Sequence, residues 1–479
     1  MFISAQLFLM FLISRTQAQP QNQPQTGIGQ ASNFNISADE ALKYGCGEKC
    51  QEVLTYTNAA DLQTMGTAFD FEFYATAKNF SSSSAPGDLL KLVPINSTQL
   101  TVPDGMTTFR FQYVSKNVDG RSVPATGFIA FPYLKPDSGK YPLIAYAHGT
   151  IGVFPGCAPS SSPTLFNYNS WGPLMYRGYA IVATDYAGLG NNHTTLRYLS
   201  YVDHANDVYY SVQAAQKAFP GVFTKEWMSI GHSQGASTVW KLSEHPLVQS
   251  STSGYLGTVA VAPAPRLYDT AVAVYEQIIP RPDYHQYVFT AEMGHVIYGV
   301  MQAFPNYTAP WCGEGLRKRI GLASLGQMCT LAFGGLSLDL PRDQLYLPNV
   351  SVKDDKTFKE FQKIHAPAQG DRASRPMLVI HGMNDTSCLI EITEETVRDA
   401  VSAGNEIEFL RYPGLDHSAT LTASSPVWLK YIDETFARTR RYSNSTTKTV
   451  EPFNLAVAKK SLEAPMLFEQ PFLGLLATS

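Results

Sequence analysis

Met228-Ser229-Ile230-Gly231-His232-Ser233-Gln234-Gly235 and the residues that follow it contain the most informative fold signal of the sequence. A short apolar run leads into the pattern Gly-x-Ser-x-Gly, and Ala236–Leu242 is typical of a helix. A strand, a sharp turn and a helix in this order form the setting of a nucleophilic serine. The glycines fit a strained turn because neighbouring side chains would clash there. We therefore expect Ser233 to be a nucleophile, with an ordinary glycine-rich turn as the alternative.

Short apolar runs alternate with helical patterns on both sides of this turn. The runs predicted to be buried strands are Leu143–Ala147, Ala180–Thr184, Leu256–Val261 and Met377–Ile380, and Ile407–Arg411 is predicted to be a further strand. The predicted helices are Trp171–Tyr176, His204–Phe219, Ile390–Val401 and Val427–Arg438. Thr108–Val114 and Ala125–Phe131 alternate and predict a hairpin. The pattern predicts an α/β fold with a mainly parallel central sheet.

One interval breaks the alternation. From about Pro263 to Ala366 no strand-like run occurs, and the stretches there are amphipathic and aromatic-rich, such as His295–Phe304 and Leu322–Phe333. We expect a helical cap at 264–365, inserted into a catalytic core formed by 106–263 and 366–440. The aromatic, Leu and Met side chains of the cap suit a pocket for an acyl chain and the core of the cap itself equally well.

A serine hydroxyl needs a base, and in such folds the acid and then the histidine follow the serine along the chain. His417 lies in a loop after the last predicted strand. Asp385 follows the strand before it and would accept the imidazole N–H and hold the tautomer. Asp416 is the alternative acid, although a residue adjacent to His417 would normally point away. His381, at a strand end, is expected to be structural or to line the acid's surroundings.

The loop after the strand at 143–147 is the expected source of a second oxyanion donor. Backbone N–H groups at His148 and Gly149 are candidates, together with that of Gln234, and a plain turn is the alternative. No metal or cofactor is expected. Cys46 and Cys50 lack the second Cys/His pair that a zinc site requires.

The first 18 residues are predicted to be a signal peptide. Phe2–Ile13 is an apolar run too short to span a bilayer, and Thr16-Gln17-Ala18 suits a cleavage site. An N-terminal anchor is the alternative. Residues 19–105 are expected to be a leader and extension. No later stretch is long and apolar enough to predict a membrane span.

Two further features favour an extracellular protein. Seven asparagines in Asn-x-Ser/Thr sequons are predicted glycosylation sites: Asn35, Asn79, Asn96, Asn192, Asn306, Asn349 and Asn444. Asn384 is an eighth, expected to be too enclosed beside the acid. Six cysteines are compatible with three disulfides, in 15 pairings.

Composition narrows the function classes. Hydrophobic residues make up 44% and charged residues 16%, so wholesale disorder is excluded. The formal charge of −4 gives no basic surplus, and we expect no nucleic-acid partner.

Longer motifs now add a family resemblance. The runs 145–150, 157–160 and 177–190 and the pattern at 231–235 resemble the secretory lipase family of lipase A type, over roughly residues 50–440. The separations of 152 residues from Ser233 to Asp385 and 32 from Asp385 to His417 are also similar. The resemblance implies an α/β-hydrolase fold and hydrolysis of carboxylic esters without a metal. It also implies that Ser233, Asp385 and His417 form the catalytic triad. The oxyanion donors would lie near His148 and on Gln234.

The resemblance also implies that Cys157 is bonded to a cap cysteine, for which we select Cys312, and that 441–479 forms a flap over the site. The first hypothesis is a secreted lipase or carboxylesterase that forms an acyl-enzyme. Its partners would be an ester with an apolar acyl chain and a lipid interface, without stable membrane insertion. The alternative is an esterase or acyltransferase of specialised metabolism acting on acetyl or lactone small molecules. A peptidase and a non-catalytic binding protein are further alternatives.

Overall fold

The computed structural model describes residues 28–440 and 444–460 of the protein. The predicted signal peptide lies outside these residues, and so do parts of the predicted C-terminal flap, 441–443 and 461–479. Among the helices of the described ranges, none has both the length and the apolar character that crossing a membrane would require.

The described strands form a two-stranded ribbon and a ten-stranded sheet. The ribbon pairs β1 (Ile28–Gly29) with β2 (Phe69–Asp70). The sheet contains β3 (Leu89–Pro94), β4 (Thr107–Lys116), β5 (Ser122–Phe131), β6 (Tyr141–Ala147), β7 (Ala180–Thr184), β8 (Phe223–His232), β9 (Tyr255–Val261), β10 (Met377–Gly382), β11 (Ile407–Tyr412) and β12 (Thr446–Thr449).

The α-helices, several of them single turns, surround this sheet. They are α1 (Ala38–Lys43), α2 (Glu48–Met65), α3 (Phe71–Tyr74), α4 (Gly172–Met175), α5 (Tyr201–Ala218), α6 (Gln234–Ser243), α7 (Pro246–Gln249), α8 (Leu267–Ala273), α9 (Val288–Ala303), α10 (Glu314–Gly326), α11 (Thr330–Gly335), α12 (Arg342–Leu345), α13 (Lys356–His365), α14 (Ile390–Ser402), α15 (His417–Ala423) and α16 (Ser425–Phe436).

The strand order of the sheet is β12-β11-β10-β9-β8-β6-β7-β5-β4-β3. Every pair from β12 to β7 is parallel, whereas β5, β4 and β3 add an antiparallel edge. The predicted hairpin is β4–β5, with Phe111 opposite Gly127. The prediction of an α/β fold with a mainly parallel sheet is therefore confirmed.

The core lies on both faces of the sheet, because successive residues of a strand point to opposite sides. On β6, Ile144 and Tyr146 join the buried cluster that contains Trp171 and Trp428. Leu143 and Ala145 join the opposite cluster, which also contains Val212 of α5 and Val239 of α6. Burial on both faces explains why the central strands are continuous apolar runs in the sequence.

Between β9 and β10 the chain forms helices α8 to α13 and no strand, which matches the absence of strand-like runs in this part of the sequence. The predicted amphipathic stretch 322–333 is split into α10 and α11. The break lies at Gln327, which has a left-handed φ of 47°. Residues 264–365, the predicted cap, are called the cap segment below.

The N-terminal region contains more structure than was predicted, because α1, α2 and β3 fall within 19–105. Helix α2 packs on the cap segment, where Asp61 accepts the amides of Leu331 and Ala332 at 3.1 and 2.8 Å. The buried face of α2 carries Thr57 and Asp61 as well as apolar residues. These polar residues interrupt the apolar periodicity from which a helix is predicted.

The predicted bond between Cys157 and Cys312 is wrong, and the six cysteines form two disulfides rather than the three with which their number is compatible. Cys157 is bonded to Cys329, with Cα atoms 5.6 Å apart, and Cys46 is bonded to Cys50. Gly152 forms an isolated bridge with Cys329, which brings that residue to Cys157. Cys312 is free and buried, and its thiol contacts the Gly313 carbonyl at 3.4 Å.

The predicted glycosylation sites are accessible. All seven asparagines are exposed. Asn384 is exposed as well, so the expectation that it is enclosed beside Asp385 is wrong. The backbone of this loop turns the Asn384 side chain outward while Asp385 is buried.

Candidate active site

Ser233 lies on the turn between β8 and α6, with φ 58° and ψ −122°. This left-handed conformation is strained for a residue with a side chain. A Cβ on Gly231 would lie 2.1 Å from the Gly235 carbonyl oxygen, and one on Gly235 would lie 1.9 Å from that of Ala147. Both glycines of the pattern are therefore required, because β8 approaches α6 closely at Gly231 and α6 approaches β6 closely at Gly235.

Asp385 and His417 meet in the loops that follow β10 and β11. His417 Nδ1 lies 2.7 Å from Asp385 Oδ2. The other oxygen of Asp385 accepts the amides of Ser387 and Cys388 at 2.9 and 2.8 Å. The carboxylate is thus fixed by its own loop and presents one oxygen to the imidazole. Because Nδ1–H donates to Asp385, the neutral ring has its acceptor at Nε2.

Asp416, the alternative candidate for the acid, caps a helix instead. Its Oδ1 accepts the Ala419 amide at 2.8 Å, so it caps the N-terminus of α15. His381 lies beside the acid, with Nε2 2.8 Å from the Cys388 carbonyl and 3.2 Å from Asp385 Oδ2. His381 therefore lies directly beside Asp385, which is one of the two positions expected for it.

The charges of Asp385 and His417 stabilise each other. Burial alone would raise the pKa of Asp385, but the charge of His417 and the hydrogen bonds from His381 and His417 outweigh it and lower the pKa below its usual value. Burial alone would lower the pKa of His417, but Asp385 raises it well above the usual value. The imidazole is consequently a stronger base than a free histidine.

His232, the residue before the serine, links the two sides of the site. Its Nε2 donates to the His417 carbonyl at 3.2 Å, and its Nδ1 accepts the Tyr168 hydroxyl at 3.3 Å. Burial lowers the pKa of His232 to about 3, so it is neutral. Among the described residues no hydrogen bond joins the Ser233 hydroxyl to His417. Such bonds are often long before substrate binds.

The three residues predicted to supply oxyanion donors differ in the hydrogen bonds that they already make. The Gln234 amide is at the start of α6, where no preceding turn supplies a carbonyl. The Gly149 amide donates to the Tyr168 hydroxyl at 3.2 Å. The His148 ring contacts the carbonyls of Gly149 and Asp185, so only its backbone could face a substrate. The loop is adjacent to the serine, since a Cβ on Gly149 would lie 3.4 Å from Ser233 Cβ.

Sequence reasoning missed four side chains around the site: Tyr168, His232, Glu292 and Cys388. His232 and Cys388 could have been noticed, because they lie within three residues of Ser233 and Asp385. Tyr168 and the cap residue Glu292 carry no such signal, since only the fold brings them here. Cys388 is a buried free thiol, and burial raises its pKa to about 11.

The Cys388 sulfur and one ligand atom each of Asp385 and His417 lie within 4.8 Å of one another, a set that could hold a metal ion. Here the carboxylate and the imidazole are hydrogen-bonded to each other.

Comparisons with known proteins agree with this architecture. A model of the prolyl oligopeptidase family, peptidase S9, matches residues 340–439, which are 100 of the 479 residues. The matched segment contains Asp385 and His417 but not Ser233. No curated protein matches the sequence.

Solved structures resemble three quarters or more of the chain. Lipase A from Candida antarctica in its closed state has a TM-score of 0.60 at 15% identity, covering 85% of this chain and 94% of that one. The rice cell wall degrading esterase LipA from Xanthomonas oryzae has a TM-score of 0.57 at 16% identity, covering 75% of this chain and all of that one. Together with the sheet order and the turn at Ser233, these similarities show that the chain has the α/β-hydrolase fold.

Proposed function

We propose that the chain is a serine hydrolase that cleaves carboxylic esters, with Ser233 as nucleophile, His417 as base and Asp385 as the acid that orients it. One observation carries the proposal: a serine on a strained strand–helix turn shares a site with an imidazole held 2.7 Å from a buried carboxylate. Esters are favoured as substrates because the fold resembles that of a lipase and of an esterase.

The first half of the reaction is acyl transfer to the serine. Ser233 Oγ attacks the ester carbonyl carbon while His417 Nε2 takes the hydroxyl proton. The resulting imidazolium is stabilised by Asp385. As the tetrahedral intermediate collapses, the bond to the alcohol oxygen breaks and His417 returns the proton to that oxygen. The alcohol leaves, and Ser233 carries the acyl group as an ester.

The second half regenerates the enzyme. His417 takes a proton from water, the resulting hydroxide oxygen attacks the acyl carbon, and Ser233 Oγ leaves with that proton. The products are one carboxylic acid and one alcohol from one ester and one water. The negative oxygen of both intermediates would be held by the Gln234 amide and by an amide of the loop at 148–150. Each donor would contribute about 3 kcal/mol. For Gly149 to serve, its amide must exchange the Tyr168 hydroxyl for the substrate oxygen.

We also propose that the protein is secreted and glycosylated. Two disulfides suit an oxidising compartment, and the seven sequon asparagines are exposed. Expression in a eukaryotic secretory host should yield protein in the medium that begins after Ala18. Its mass should fall on treatment with an N-glycosidase. Retention in the membrane fraction with Met1 present would instead support an N-terminal anchor.

Hydrolysis of p-nitrophenyl esters from acetate to palmitate tests the enzymatic proposal, with wild type beside Ser233→Ala. The matched control is Ser402→Ala, an exposed serine at the far end of α14. We expect turnover by wild type and the control and none by Ser233→Ala. Turnover of palmitate would identify a lipase, whereas turnover confined to acetate and butyrate would identify an esterase of small acyl groups.

A peptide p-nitroanilide belongs in the same assay, because the matched family model is that of a peptidase. Ser233-dependent cleavage of the anilide without cleavage of any ester would overturn the ester proposal in favour of a peptidase. If neither wild type nor Ser233→Ala cleaves any of these substrates, the remaining alternative is a non-catalytic binding protein.

A further inference from the structure

Helix α9 of the cap segment lies across the site from the acid loop to the loop after β6. Near its first turn, the Phe289 amide donates to the carbonyl of Thr386, the residue after Asp385, at 3.3 Å. Near its last turn, a Cβ on Gly299 would lie 2.5 Å from the Tyr198 carbonyl oxygen. The Tyr198 hydroxyl in turn lies 2.6 Å from Thr150 Oγ1, one residue beyond Gly149.

Glu292 lies on α9 between these two contacts. It follows Phe289 by three residues and precedes Gly299 by seven, so all three share one face of the helix. The carboxyl group is half-buried. Unlike most half-buried carboxyl groups, it makes no hydrogen bond or ion pair with another side chain in 28–440 or 444–460. The carboxyl group is therefore unpaired among the described side chains, one helical turn from Phe289, whose amide contacts the loop that carries Asp385.

The pKa shifts of Glu292 and Tyr198 agree with this position of the carboxyl group. Burial raises the pKa of Glu292 to about 7, with His417 lowering it and Asp385 raising it. The pKa of the Tyr198 phenol is raised first by burial and then by the charge of Glu292. Near neutral pH the Glu292 carboxyl is thus only partly ionised, and it can accept a hydrogen bond in either state.

His295, one turn further along α9, presents a second unsatisfied group. It is fully buried, and neither of its ring nitrogens has a hydrogen-bond partner among the described residues. Its ring lies between those of Phe333 and Tyr198, with centroid distances of 4.1 and 6.0 Å. A buried polar group without a partner is costly, so this part of α9 is more polar than the core of a helical cap requires.

We propose that Glu292 determines specificity in the ester hydrolysis proposed above, by accepting a hydrogen bond from a hydroxyl group that the ester carries near its scissile bond. The inference rests on that proposed function and narrows its substrate class to hydroxylated esters. A purely apolar ester would leave the Glu292 carboxyl group without a partner. A cationic ester would pair with the ionised carboxylate instead, and the test below includes one.

The test compares four esters of four-carbon acids. Ethyl butyrate has no hydroxyl, glycerol monobutyrate has hydroxyls on the alcohol, ethyl 3-hydroxybutyrate has one on the acyl group, and butyrylcholine has a cation and no hydroxyl. Wild type is compared with Glu292→Gln, which keeps the shape, and with Glu292→Asp. The matched control is Glu360→Gln, an exposed glutamate on α13 of the cap segment.

In Glu292→Gln, whose neutral amide oxygen is a weaker acceptor than a carboxylate, we expect kcat/KM at pH 8 to fall about tenfold for at least one hydroxylated ester and to change less than about twofold for ethyl butyrate. Glu292→Asp should recover part of the loss, and Glu360→Gln should match wild type. An equal change for all four esters, or a selective loss with butyrylcholine alone, would overturn the inference.

The failure of this inference is distinguishable from failure of the proposed function. If wild type cleaves ethyl butyrate in a Ser233-dependent manner but Glu292→Gln shows unaltered discrimination, only the inference fails. If wild type cleaves none of these four esters and none of the p-nitrophenyl esters, the proposed function fails and the inference fails with it, whereas cleavage of p-nitrophenyl esters alone would overturn only the inference.

Discussion

The α-carbon of Gly235 lies so close to Ala147 that a Cβ there would stand 1.9 Å from the Ala147 carbonyl oxygen. Helix α6 and strand β6 can approach in this way only because position 235 has no side chain. The close approach brings the start of α6 and its free amides next to the loop at 148–150. The prediction for Gly235 follows directly from this contact.

Gly235→Ala should displace α6 from β6 and abolish esterase activity. The new methyl group would clash with the Ala147 backbone, which can move only at a large cost in stability. We expect a loss of stability of about 3 kcal/mol or more, in the range of severe overpacking. Urea unfolding and ester hydrolysis measure the two effects. Gly47→Ala is the control, since a Cβ at Gly47 would meet nothing within 4 Å. An active, stable Gly235→Ala enzyme would contradict the geometry described here.

Asp385→Asn should lower kcat about 10⁴-fold, because an amide in place of the carboxylate disfavours the tautomer with Nδ1–H and removes the charge that stabilises the imidazolium. Asp416→Asn distinguishes the two candidate acids. Asparagine caps helices as well as aspartate does, so this variant should retain nearly full activity. Rates measured with p-nitrophenyl butyrate decide between them, and the reverse ranking would transfer the acid's role to Asp416.

The pH dependence of kcat/KM should reflect the environment of His417. The base acts in its neutral form, and Asp385 raises the pKa of the imidazole, so activity should increase with pH through a midpoint above 6.5. In Asp385→Asn the raising charge is absent, and the midpoint of the residual activity should move to lower pH. Titration of released acid at constant pH measures both profiles. A wild-type midpoint at or below 6.5 would contradict the prediction.

The disulfide assignment predicts unequal costs for two cysteine substitutions. Cys329→Ala opens a loop of 172 residues and should cost about 2–5 kcal/mol of unfolding free energy. Cys312→Ala removes a free thiol and should cost about 1 kcal/mol. Urea unfolding measures both values, and mass spectrometry after alkylation counts the free thiols. If Cys312→Ala were the costly substitution, the bond from Cys157 would have to go to Cys312 instead.

The central sheet could be predicted because its strands are buried on both faces. Leu143–Ala147, Ala180–Thr184 and Met377–Ile380 are continuous apolar runs, and the structure places strands there with ends within two residues. The turn at Ser233 was equally visible, since its glycines are needed for close backbone contacts. Such features are encoded by a few consecutive residues, and the sequence displays them directly.

Other features depend on residues far apart in the chain. Helix α2 was missed because its buried face includes Asp61, whose partners are the amides of Leu331 and Ala332. The choice of Cys312 over Cys329 failed because the bridge between Gly152 and Cys329 has no sequence signal. Glu292 and Tyr168 were missed for the same reason. Long-range backbone pairing, rather than local pattern, decides which of these residues meet.

The bond between Cys157 and Cys329 also limits how a substrate could be admitted. The cap segment leaves the sheet after β9 and re-enters it at β10, and the disulfide holds a third point, α11, to the loop that follows β6. A rigid-body rotation of the cap segment about its two connections to the sheet would carry Cys329 away from Cys157. The disulfide prevents this movement, because it holds the Cα atoms of the two residues 5.6 Å apart. Substrate entry therefore requires individual helices or side chains to shift, and not a rotation of the whole cap segment as one rigid body.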